Sequence, residues 1–240
     1  DAKHLDPRIG LAWTPAEGHW LRAGYIRQSM DATTPTLAPI GIVGLQPNEF
    51  SVGADGYADT LALKWDAEWT DRFFTTLDYP HQMSHDLTIS DALVISNLSF
   101  DKATADRVAM TANLALDYGF GLSATYALAF SEDKDAANLS FGRDLPFLPR
   151  HSGQVAVTYV SEANVKATIA ANYIGERYGD PTARKLDDYW TLDANLTWEP
   201  FDKNVIFEAS AYNLLDEDFE VTPGWNGWGR VFKGMVKFRF

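Results

Sequence analysis

A chain of 240 residues without cysteine has neither a disulfide framework nor a thiolate metal site, and its formal charge of −13 argues against nucleic-acid binding, which needs clustered Lys and Arg. No run of 18 or more apolar residues is present, so no transmembrane helix is expected. The mean hydropathy of −0.22 leaves a membrane β-barrel open, because lumen residues alternate with lipid-facing ones and cancel the average. The length suits one all-β domain over residues 1–240. No signal peptide opens the chain, so Asp1 follows a processing site or belongs to a longer protein.

Strand-like alternation recurs along the sequence and helical spacing is almost absent. Ile9, Leu11 and Trp13 alternate with small residues, Thr14–Gly18 turns the chain, and Leu21, Ala23 and Tyr25 return. After a Pro/Gly-rich connection at 29–57, Leu61, Leu63, Trp65, Ala67 and Trp69 alternate with Ala62, Lys64, Asp66 and Glu68. A turn at Thr70–Arg72 leads into Phe73, Thr75, Leu77 and Tyr79. Residues 81–103 read as a long connection with a possible strand at Ala92–Ile95. Val108–Leu116 and Leu122–Phe130 flank a tight turn at Tyr118-Gly119. Val155–Tyr159 and Val165–Tyr173 form the next pair. Trp190, Leu192, Ala194, Leu196 and Trp198 then oppose Asp193 and other polar residues, and Val205–Ala211 follows.

The last strand sorts Phe232, Gly234, Val236, Phe238 and Phe240 onto one face, with Lys233, Met235, Lys237 and Arg239 on the other, since successive side chains point to opposite sides. A chain closing on such a strand resembles outer-membrane proteins, in which the terminal strand pairs with the first and addresses the barrel-assembly machinery.

Connections alternate. They are short near 16, 71, 119, 162 and 201, and long at 29–57, 81–103, 131–149, 176–187 and 214–228. Outer-membrane barrels have short periplasmic turns and long extracellular loops. The sequence therefore predicts an antiparallel transmembrane β-barrel of roughly 12 strands. An even count places both termini on the periplasmic side. Trp190 and Trp198 share a face eight residues apart, roughly 20 Å along the membrane normal at a tilt near 40°, against an apolar band of about 25 Å. Trp65, Trp69, Trp190, Trp198, Phe238 and Phe240 are thus the candidates for lipid and girdle contact. The lumen candidates are Lys64, Asp66, Glu68, Arg107, Asp193, Glu208, Lys233, Lys237 and Arg239, either as a charge network stiffening the wall or as the lining of a conduit. Trp225 and Trp228 are loop candidates for a ligand or for the outer girdle.

Several motifs resemble the end of the TonB-dependent receptor barrel. They are Leu148-Pro149-Arg150-His151, Tyr173-Ile174-Gly175-Glu176-Arg177-Tyr178, Leu186-Asp187-Asp188-Tyr189-Trp190, Asn213-Leu214-Leu215-Asp216, Gly229-Arg230 and the terminal Phe240, with Pro7–Trp13 resembling a mid-barrel strand. The resemblance implies uptake of a large nutrient such as a siderophore complex, with TonB as a partner and outer-membrane lipid and lipopolysaccharide as surroundings. The family barrel has 22 strands and an internal plug; this chain supplies about half the strands and no plug. Leu37–Ile40 and Asp59–Trp69 are similar to a plugless set that follows a periplasmic tetratricopeptide region, which implies export or scaffolding of polysaccharide or protein.

Enzyme chemistry has little support. His81 and His85 bracket Ser84, but adjacency in sequence is not the hydrogen-bonded nucleophile–base geometry that hydrolysis needs. The same two histidines have the spacing of a helical metal pair, yet follow a strand. No cofactor is expected. Acidic loop residues such as Glu132, Asp133, Asp216 and Glu217 are candidates to hold divalent cations against lipopolysaccharide.

Overall fold

A computed structural model of the chain describes residues 5–29, 52–89, 98–180, 182, 184–200 and 204–238. Its strands are β1 (Arg8–Ala16), β2 (His19–Ser29), β3 (Val52–Thr70), β4 (Phe73–Ile89), β5 (Leu98–Ala115), β6 (Phe120–Asp133), β7 (His151–Ser161), β8 (Val165–Ile174), β9 (Arg177–Tyr178), β10 (Lys185–Leu186), β11 (Tyr189–Trp198), β12 (Val205–Tyr212), β13 (Glu220–Thr222), β14 (Trp225–Asn226) and β15 (Val231–Phe238). Eleven of them form one sheet in the order β1-β2-β3-β4-β5-β6-β7-β8-β11-β12-β15, each antiparallel to its neighbours. Two small hairpins, β9–β10 and β13–β14, sit in the connections at 175–188 and 213–230.

The class is the expected one: all-β, antiparallel, a meander with short turns at one end and long connections at the other. Among the described residues the main sheet has eleven strands, in keeping with the roughly twelve expected, and β4 and β5 pair directly out to Ile89 and Leu98. The expected strand at Ala92–Ile95 lies outside the described residues. Two expectations need correction. Residues 81–89 and 98–103, read as connection, are strand. Finally, β1 and β15 are the two edges of an open sheet. With eleven alternating strands, β1 starts at the long-connection end and β15 finishes at the short-turn end. The two edges therefore run in the same direction and cannot complete an antiparallel wall by pairing with each other, and the described chain does not begin and end on one side.

Regular pairing makes the two faces of the sheet easy to assign, since directly opposed residues share a face. Leu63, Trp65, Leu77, Val108, Met110, Val157, Ile169, Leu196 and Val236 lie on one face, and most of them stay exposed although apolar. On the other face, Arg22 pairs with Asp66, which also accepts from Thr76 Oγ1 at 2.8 Å. Further along it come Thr111–Thr125, Thr158–Thr168 and Gln154–Asn172–Asp193. This inverts a water-soluble sheet, whose apolar face packs into a core. Among the described residues the buried apolar set is small and largely alanine, with Ile26, Leu145, Leu186 and Ile206 as its larger aliphatic members.

One short turn shows how tightly that end is drawn. In the β5–β6 turn Gly119 has φ +79, and an added Cβ would meet the Val160 carbonyl oxygen at 2.0 Å. Only glycine accepts both that backbone and that approach.

Candidate functional site

Two features of the wall bear on function: the polar face, and the knot of connections at one end of it. Lys64 and Asp66 stand together on the polar face, Nζ to Oδ1 3.8 Å, beside Arg22. Glu68 shares that face nearer the short turns, opposite Phe74. Arg107 follows the same alternation on β5, opposite Ala129. Asp193 accepts from Asn172 Nδ2 at 2.9 Å and from the Asn213 N–H at 2.9 Å. Glu208 accepts from Lys237 Nζ at 2.8 Å, and Lys233 lies over the Tyr212 and Trp228 rings at 5.0 and 5.8 Å. Arg239 and Phe240 lie outside the described residues.

The aromatic candidates form two rows on the opposite face. Toward the short turns, Trp65 and Trp69 meet at 5.8 Å around His19, Phe120 meets Tyr159 at 4.8 Å, and Trp198 stacks on Phe207 at 5.5 Å. Phe238, opposite Val205, is on the same face. Toward the long connections, Trp190 packs on Tyr173 at 4.7 Å and the Tyr126 hydroxyl is 2.6 Å from His151 Nδ1. Both Trp65 and Trp69 belong to one row, so their close spacing does not measure the apolar span.

Beyond the second row, the same face of β2–β5 turns polar. Arg27 makes a two-pronged ion pair with Asp59, both contacts 2.7 Å, and the Tyr25 hydroxyl reaches the same carboxylate. One strand over, the Tyr79 hydroxyl and His81 Nδ1 each lie 2.7 Å from Asp106. The reading from sequence missed this cluster. Its signal was the change from Leu61 and Leu63 to Asp59 and Tyr57 without a change of alternation. The expected loop at His81–Asp86 is strand: the His85 ring stacks on Tyr57, while Ser84, on the other face, accepts from Gln82 Nε2. Ser84 and His85 thus point apart and form no nucleophile–base pair.

The connections at the long end are held by their own polar groups. Asp133 is fully buried, accepting from Ser140 Oγ at 2.6 Å and the Asp135 N–H at 2.8 Å, so it is an organiser of the 134–150 connection. Asn213, 4% exposed, accepts from the Glu217 N–H through Oδ1 and donates through Nδ2 to the carbonyls of Glu217 and Trp228. Asp216 Oδ1 accepts the Arg230 N–H at 2.8 Å. Both residues adopt the left-handed backbone, φ 49 and 59, that Asn and Asp tolerate. The Asn213–Asp216 and Gly229-Arg230 motifs are therefore two halves of a clasp closing the 213–230 connection. Trp225 and Trp228, at 56 and 76% exposure, project from it.

Arg177 ties the 175–188 and 213–230 connections together. Its Nη2 donates to the Glu220 carbonyl at 2.8 Å and its guanidinium lies 5.4 Å from the Tyr189 ring, which itself stacks on Phe219 at 4.0 Å. Burial lowers the guanidinium's hold on its proton. Nearby, burial pushes the Asp180 carboxyl up, but hydrogen bonds from the Thr182 hydroxyl and the Arg184 and Thr182 N–H groups outweigh it and hold the group below the usual carboxylate range. Among the described residues no cluster of His, Cys, Asp and Glu suited to a metal ion is present.

An antiparallel wall with one bare aliphatic face between two aromatic rows, and a polar face opposite, defines an outer-membrane β-barrel wall. Residues 1–214 match the family model described as TonB dependent receptor-like, beta-barrel, and the chain belongs to that family. No curated protein matches the sequence. Among solved structures it is similar to the ferric yersiniabactin uptake receptor FyuA from Yersinia pestis (18% identity, TM-score 0.64, 96% of this chain and 35% of that one). It is also similar to the siderophore receptor PiuA from Acinetobacter baumannii (17%, 0.66, 96% and 35%) and to the FrpB iron transporter from Neisseria meningitidis (15%, 0.67, 99% and 38%). The chain spans little more than a third of the length of these proteins. At such identity the likeness establishes the fold.

Proposed function

We propose that residues 1–240 belong to one barrel domain that forms wall and outer mouth of a TonB-dependent receptor taking up a large nutrient of the siderophore-complex class. In this reading the face with Lys64, Asp66, Arg107, Asp193 and Glu208 lines the lumen, and the face with Ile169, Trp190, Trp198 and Phe238 meets lipid. The observation that carries it is the division of labour between faces: hydroxyl, amide and charged side chains hydrogen-bond to one another on one side, while aliphatic side chains stand bare on the other. Only hydrocarbon makes the second arrangement favourable over a whole sheet. The clasped connections at the long end would then frame the cargo entrance, with Trp225 and Trp228 as exposed aromatic contacts. Lipopolysaccharide would surround that rim, and β15 would present the assembly signal. Uptake would need TonB at the short-turn side.

The test is energy-dependent accumulation of iron-55 presented as siderophore complexes to cells with and without the gene. Loss of accumulation on deletion and on collapse of the proton gradient is the expected result. Unchanged accumulation with every chelate tried, alongside a secretion defect in the deletion strain, would overturn it in favour of export.

A further inference from the structure

Three side chains with metal-binding chemistry stand in a row on the outer flank of β4. His81, Met83 and His85 occupy alternate positions, opposite Leu61, Asp59 and Tyr57, so all three share one face, the one whose lower part is aliphatic. They lie past the aliphatic band, where that face has turned polar. A thioether is out of place there: Met83 is 44% exposed, beside Asp59 and between the two imidazoles, with no apolar core to cover it. Alternate residues of a strand are about 6.6 Å apart, close enough for neighbouring side chains to share one ion. His81 and His85, roughly 13 Å apart by the same spacing, are too far apart to share one.

His81 is already set as a ligand. Its Nδ1 lies 2.7 Å from Asp106 Oδ1, and an ionised carboxylate only accepts, so in the neutral ring Nδ1 carries the proton and Nε2 keeps its lone pair. The Tyr79 hydroxyl donates to the same oxygen at 2.7 Å and steadies it. An imidazole oriented by a carboxylate through one nitrogen, with the other bare, is the usual posture of a metal-binding histidine. The His81 side chain is partly exposed, and among the described residues its Nε2 has no hydrogen-bond partner. Other donors nearby are engaged. The His85 ring stacks on Tyr57 at 4.4 Å, and Asp59 gives its oxygens to Arg27 and Tyr25. What remains is one imidazole nitrogen and one thioether sulfur without a free carboxylate. That pair suits a soft monovalent ion of low coordination number, and it lacks the four ligands that zinc(II) takes and the oxygen cage that calcium needs.

We propose that His81 Nε2 and Met83 Sδ bind one soft monovalent metal ion, copper(I) or silver(I), on the outer flank of the wall, with Asp106 as a positioning residue. The site rests on the geometry of β4 and its neighbours and is independent of the transported cargo.

The experiment uses the full-length protein extracted from outer membranes, freed of metal with a chelator in detergent, and titrated calorimetrically with silver(I). Copper(I) is titrated in competition with a chromophoric chelator, and zinc(II) in parallel. Wild type should bind one silver ion that His81→Phe and Met83→Leu each weaken by about a hundredfold or more. Asp106→Asn should weaken it by about tenfold, and Asp106→Glu, which restores an orienting carboxylate, should recover most of that loss. His85→Phe and Met110→Leu, the latter exposed within the aliphatic band, should leave binding unchanged. X-ray absorption of the copper(I)-loaded protein should show a sulfur neighbour that Met83→Leu removes. Heat-modifiable gel migration identifies variants that fold. Wild-type silver binding in folded Met83→Leu or His81→Phe protein would overturn the site, as would its loss in His85→Phe, or zinc(II) held as tightly through the same two residues. Unchanged affinity in Asp106→Asn would overturn the positioning role.

Discussion

Ile169 is the residue on which the facing assignment is most exposed to test. It sits midway along β8, on the face between the Trp190 and Trp198 rows, opposite Val157 and Ala194, and is 55% exposed. Its neighbour Thr168 points the other way and hydrogen-bonds Thr158. Ile169→Arg should lower unfolding free energy by about 2–4 kcal/mol, because it sets a charge near the bilayer midplane, whereas Thr168→Arg should cost markedly less. Denaturant titration in lipid vesicles measures both, and equal losses would contradict the assignment. The alternation on which it rests was legible in the sequence because a strand's period of two needs no knowledge of its partners. Arg27, Asp59 and Asp106 were not recognised as a cluster, since a contact between side chains 32 residues apart depends on register, which alternation alone does not give.

At the scale of elements, the sequence marked the clasp without revealing what it does. Asn213-Leu214-Leu215-Asp216 stood out as a family-like motif; the structure supplies the reason, two hydrogen bonds donated and one accepted by a buried amide and a fourth accepted by Asp216, which lock the start of a connection to its end. Asn213→Ala should leave the Trp228 carbonyl and the Glu217 N–H unpaired and impose an unfavourable backbone, for a local loss of about 2–4 kcal/mol. Asn213→Gly should recover the backbone part alone. Hydrogen exchange of the 214–230 amides reads this difference, and identical protection in the two variants would contradict it. The 175–188 connection carries a pH dependence. The Asp180 carboxyl is held below its ordinary value, so its support of the Thr182 and Arg184 amides is complete above the usual carboxylate range and is lost as pH falls through the depressed value. Protection of those two amides, corrected for intrinsic exchange, should fall on acidification, and Asp180→Asn should flatten the profile. Strand ends were the poorly legible part. The apolar alternation ends at Leu61 on β3, at Tyr79 on β4 and at Val108 on β5, while backbone pairing continues through Tyr57, His85 and Lys102. Hydropathy reports the medium beside a strand, and pairing does not stop where the medium changes.

For the whole molecule, that change of medium can be located. Leu63 and Met83 share one face and are equally open by geometry, at 45 and 44% exposure. Yet Met83 lies among Asp59 and the polar cluster, and Leu63 among aliphatic residues. In intact cells Met83→Cys should react with a membrane-impermeant maleimide and Leu63→Cys should not. Equal labelling would mean that no hydrocarbon boundary runs between them. The direct pairing of β4 with β5 is a long-range property that the sequence pattern left ambiguous at 81–103.

β3, β4 and β5 have 19, 17 and 18 residues, against 10 in each of β8 and β11. At about 3.3 Å per residue the first group runs roughly 60 Å and the second roughly 33 Å, where crossing a bilayer takes about 9–11 residues. Short turns keep the bases of all these strands level, so the surplus emerges entirely at the far end. The rim is consequently cut on a slant, like a reed pen: a tall paired rampart on one flank and a low sill, topped by knotted coils, on the other. Along this sheet, a molecule moving over the upper edge would pass from a stiff paired screen at β3–β5 to a low step at β8 and β11.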